Sequence, residues 1–141
     1  MNNTINLSTG LKTYNLVFSD RDNDTVQISF NPKDVGMLER IKNSENVIID
    51  TVKSAPENLE EGSETAKLLR KALSDQLDYI FGYPISDKVF KHCHPLTPDD
   101  SGKYFIEKFF DAVTPVIKRD IAAANKASRA RISKHTSKYK K

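Results

Sequence analysis

Residues 92–94 read His-Cys-His, three side chains of types that ligate zinc or, as a Cys-His pair, activate a thiol. Metal sites pair ligands at spacings such as CxxC or HxxxH, so that several face one ion, whereas consecutive residues diverge. His135 is the only other histidine, and no second cluster completes a tetrahedron. The run therefore reads as a structural loop. Cys93, the single cysteine, reads as a passive thiol in a protein of a reducing compartment. Paired carboxylates occur at Glu60-Glu61 and Asp99-Asp100. Both pairs sit in connectors, where capping and helix-dipole compensation account for them better than acid-base catalysis. The five glycines, at 10, 36, 62, 82 and 102, are isolated, so no phosphate-binding loop is formed. These residues predict no enzyme, no cofactor and no metal.

Charge is more informative. The chain of 141 residues has a formal net charge of +3, but the last acid is Asp120. Seven of the 22 Lys and Arg lie at or after Lys126, which leaves residues 1–125 with 15 bases against 19 acids, about −4. An acidic body thus carries a basic arm over 126–141. A general nucleic-acid binder spreads its basic charge more widely, so nucleic acid is the weaker expectation for this arm. The arm reads as frayed, with Arg129, Arg131, Ile132 and Tyr139 as its candidate contacts for a partner protein.

The elements that must carry these residues follow from periodicity. Residues 11–18 alternate, with Tyr14, Leu16 and Phe18 on one face, and 25–30 alternate with Val26, Ile28 and Phe30 on one face. The polar stretch 19–24 between them makes a hairpin over 11–30, whose apolar face must pack against helices or a partner. Asn31, Pro32 and Asp34 predict a helix start, with a helix over about 32–55 that is weak or broken at 42–46. Ser63 caps a helix over 63–81, stopped by Gly82. A short helix over 86–91 and a long one over about 101–127 complete the body. Pro115 should kink the long helix. The fold class is α+β, mostly helical: one domain over 1–125 with an N-terminal hairpin, three main helices and one short helix. In the long helix, the stripe around Phe105, Ile106, Phe109 and Phe110 predicts core packing, with Phe105 and Phe110 as candidate partner contacts.

The N-terminus lacks the basic and apolar regions of a signal peptide, and no apolar run approaches the roughly 18–20 residues of a membrane span. The expectation is a soluble, cytoplasmic protein.

Four stretches in order, "TGLKTYNL", "ISFNPKDVGMLERI", "FGYPISDKVF" and "ARISKHTSKYKK", carry a resemblance. With them the chain resembles small tail assembly chaperones of tailed phages and prophages of Gram-positive bacteria. The resemblance implies a non-enzymatic role in tail morphogenesis, in the cytoplasm of the bacterial host. Its implied client is the tape measure protein, with the major tail protein as a further partner and transient self-association. It also implies a longer, frameshifted product branching near the C-terminus. Two other readings stay open: a structural tail or connector component of the virion, and a nucleic-acid-binding accessory protein acting through the arm.

Overall fold

The computed structural model describes residues 3–137. The alternating segments form strands β1 (Lys12–Phe18) and β2 (Asp24–Phe30), paired antiparallel with Tyr14 opposite Ile28 and Leu16 opposite Val26. The connecting turn needs left-handed backbone at Asp22 (φ 53°) and Asn23 (φ 57°), a conformation that Asp and Asn tolerate better than other side-chain-bearing residues. The apolar hairpin face packs on helices: Ile28 and Phe30 are buried, and Tyr14 and Leu16 lie against the same core.

Helix α1 (Val35–Lys53) begins later than the sequence predicts. Asn31 is not its cap, because its side chain donates to Thr9 O (2.7 Å) and accepts from Lys33 N (3.0 Å), shaping the turn before the helix. Pro32 is buried in that turn. Asp34 caps instead, accepting from Gly36 N (2.9 Å) and pairing with Arg40 (2.7 Å). The helix is also unbroken across 42–46, where Ser44 is buried against the fold. Tertiary packing outweighs the weak local propensity there.

Helix α2 (Glu64–Phe81) follows its expected bounds closely. Ser63 Oγ accepts from Ala66 N (3.1 Å), and Gly82, at φ 65°, closes the helix with its N–H on Asp78 O (2.9 Å). Its stripe buries Ala66, Leu73, Leu77 and Ile80. Helix α3 is the single turn Ser86–Val89. Its N-cap is Ile85, which offers no side-chain cap. The Asp78 carboxylate reaches across from α2 and accepts from Ile85 N (2.9 Å), Ser86 N (2.8 Å) and Ser86 Oγ (2.8 Å).

Helix α4 (Phe105–Ser137) departs from expectation at both ends. It does not start at about 101, because Asp99 Oδ1 gathers Ser101 N, Ser101 Oγ and Lys103 N into a loop. Pro98 and Tyr104 pair as an isolated antiparallel bridge across that loop. Glu107 then reaches back to Tyr104 N (2.8 Å), as in a capping box. At the other end the helix does not fray at 125–127. Residues 126–137 include Ala127 and Ala130 with Lys and Arg, and no Gly or Pro, so propagation from a formed helix continues. It also runs on through Pro115.

One string of rings links the layers. Tyr14 stacks on Phe30 (4.7 Å between centroids), Phe30 meets Phe81 edge-on (5.0 Å), Phe81 meets Phe109 (5.7 Å), and Phe109 meets Phe110 (5.8 Å). The Phe-rich stripe of α4 is therefore largely core, with Ile106, Phe109 and Ile117 buried.

Candidate partner-binding surfaces

The His-Cys-His run acts as a structural fastener. The three side chains diverge to different parts of the molecule. His92 Nε2 meets Asp24 Oδ2 (2.7 Å) at the start of β2, and its ring lies edge-on to Phe18 (4.7 Å). His94 is buried and uses both ring nitrogens: Leu96 N donates to Nδ1 (3.0 Å), so Nε2 carries the proton and donates to Ala66 O (2.7 Å) in α2. Cys93 is half-buried; burial pushes its thiol up, partly offset by a hydrogen bond with Thr97. A thiol held protonated in this way is a poor nucleophile. Among the described residues, no group of three or more His, Cys, Asp or Glu side chains is placed to hold a metal ion.

Asp24 gathers this corner. Lys91 Nζ (2.8 Å) and His92 both bond its carboxylate, and these contacts, Lys91 first, hold its pKa below the usual carboxylate range. A second tie lies at the far side of the hairpin, where Asp120 of α4 accepts from Tyr14 Oη (3.4 Å) and pairs with Lys12 (3.6 Å). Burial, then the Asp120 charge, pushes the Tyr14 phenol up. Side chains of α4 pack on the body as far as Ile121 and Ala124; from Asn125 to Lys134 every side chain is exposed.

The candidate contact residues fall on two separate surfaces. Phe105 is half-buried and meets Phe90 edge-on (6.2 Å). Phe110 is half-buried and lines a shallow depression with Asp111, Thr114, Pro115 and Lys118. Arg129, Arg131 and Ile132 project from the exposed end of α4, with Ile132 at 53% exposure. Nineteen residues separate Phe110 from Arg129, roughly 30 Å along a helix axis, so the two groups do not form one site. Tyr139 lies outside the described residues.

Sequence reading missed Asp24 and Asp78. Neither stands in a motif, and their partners lie 67–68 and 7–8 residues away. Only the fold brings them together.

Among the described residues, no helix is long and apolar enough to cross a membrane. No protein-family model, curated protein or solved structure matches this chain.

Proposed function

We propose that this protein is a non-enzymatic tail assembly chaperone of a tailed phage or prophage. In this reading it works in the host cytoplasm, binding the tape measure protein and holding it soluble while the tail tube assembles. The major tail protein is a further partner. The observation that carries the reading is the exposed basic end of α4, an ordered helix standing off a packed body. A helix with no tertiary packing along it has its side chains available to a client, and the preformed backbone lowers the ordering cost of binding. Arg129 and Arg131 supply charge-assisted contacts, and Ile132 supplies an apolar one. The depression beside Phe110 offers a second, more apolar contact.

Co-expression with the tape measure protein from the same genome tests this. The expected result is a larger soluble fraction of client in the presence of this chain. An unchanged soluble fraction would sink the proposal. The same basic helix favours nucleic acid as a second reading. That reading requires a salt-sensitive mobility shift at low ionic strength, lost on truncation after Asn125.

A further inference from the structure

A groove of about 540 Å³ opens between the connector 55–61 and the loop 94–104. Its floor includes the buried Ala66 and Leu96 and the half-buried Ala55 and Leu59, and exposed Glu57, Glu60 and Glu61 line its edge. His94 also borders it, but both ring nitrogens are already bonded. The groove therefore offers apolar surface and three carboxylates, and no reactive group. Among the described residues, neither these glutamates nor Lys126, Arg129, Arg131 and Lys134 take part in an ion pair.

Its chemistry is complementary to the arm. Lys126, Arg129 and Ile132 recur every three residues, so they share a face spanning about 120° of helix surface. Two cations followed by one exposed aliphatic side chain match three carboxylates around an apolar floor. The arm cannot reach the groove of its own chain. The groove lies beside Tyr104, at the start of α4, and Lys126 stands 21 residues further along the continuous helix, roughly 32 Å away. Groove and arm thus sit at opposite ends of one helix, where each copy can give and receive at once. The groove is too small for a whole helix, whose diameter with side chains is about 10–12 Å, and suits side chains projecting from one lying across it.

We propose that the basic arm of one copy docks on the acidic-rimmed groove 55–61/94–104 of a second copy, so that the free protein assembles head to tail. Such a contact is heterologous and continues into short chains or closes into a ring. Its small area and exposed charges place it among weak, salt-sensitive interfaces. It concerns the protein without its client and does not depend on the client reading.

Sedimentation of the full chain at about 0.05 M and about 0.5 M salt tests this. The expected result is concentration-dependent association at low salt, with a dissociation constant about tenfold or more weaker at high salt. Two charge reversals sharpen it, both at exposed positions and both expected to leave the melting temperature unchanged. The groove variant is Glu57→Lys/Glu60→Lys/Glu61→Lys, and the arm variant is Lys126→Glu/Arg129→Glu. Each alone should be monomeric. Mixed, they should associate again, into chains in which the two variants alternate, because the arm of each is complementary to the groove of the other. A wild-type chain that stays monomeric at low salt overturns the proposal. So does association that survives both reversals, which would assign it to another surface such as the open edge of β1. If the groove variant is monomeric but still solubilises the client, assembly and client binding are separate activities. If wild type assembles as described and solubilises no client, only the client reading falls.

Discussion

Residues 105–121 and 125–137 belong to one helix but are held by different forces. The first stretch buries Ile106, Phe109 and Ile117, joins the chain of aromatic rings, and is tied to the hairpin through Asp120. The second exposes every side chain from Asn125 to Lys134. An isolated helix of that length would be marginal in water. Here the packed stretch supplies the nucleus, and each arm residue needs only to propagate it. The contrast separates two states along one element: buried packing holds the first stretch in the body, and the second stretch presents its side chains to solvent.

The largest expected effect tests the body. Phe30 is fully buried between Tyr14 and Phe81, so Phe30→Ala should destabilise by about 3–5 kcal/mol in chemical denaturation. Truncation after Asn125 should change stability by less than about 0.5 kcal/mol, because every described side chain it removes, from Lys126 to Lys134, is exposed. A comparable loss on truncation would break the contrast.

Asp78→Ala comes next. It leaves Ile85 N, Ser86 N and Ser86 Oγ without their acceptor beneath α3, at a cost of about 2 kcal/mol. Amide exchange should quicken at residues 85–86 and stay unchanged in the arm.

Asp34→Ala removes the α1 cap and should cost about 1 kcal/mol by thermal denaturation. The same carboxylate also predicts a pH response. Arg40 above all, and then the Gly36 N–H, hold the Asp34 pKa below its ordinary value. Ser101 does the same for Asp99, and Lys91 followed by His92 for Asp24. A lowered folded value means that the unfolded chain binds protons more tightly. The stability these groups contribute is then complete above the ordinary carboxylate range, near pH 4, and is lost as pH falls through the folded values. Because residues 126–141 hold no acid, truncating the arm should leave this acid limb of the melting curve in place.

The smallest effect on stability belongs to Ala130→Pro. It should lower helical ellipticity by unwinding the arm around residue 130, with a melting temperature close to wild type. A large fall in melting temperature would show that the arm packs on the body.

Much of this was legible in the sequence because local chemistry decided it. Period-two alternation gave the hairpin, and Ser63 and Gly82 framed α2. The α4 stripe supplied Ile106, Phe109 and Ile117 to the core. The misses share a different cause. Asn31 and Asp34 both suit a cap, and the choice was made by Thr9 on one side and Arg40 on the other. Asp99 resembles a first-turn acid, yet it folds a loop onto itself. The arm continues as helix because no Gly or Pro follows Pro115, and its run of basic charge does not unwind it. Of the candidate contacts, Arg129, Arg131 and Ile132 could be placed on an exposed surface. The acidic groove could not be read from sequence, since residues 55–61 and 94–104 meet only in the folded chain.

The division of labour along α4 is tested most directly by co-expressing the tape measure protein with the full chain and with the chain truncated after Asn125. The account predicts that both forms of the protein are folded, with closely similar melting temperatures. Only the full chain should raise the soluble fraction of the client. Equal solubilisation by the truncated chain would contradict it and move recognition back to the body.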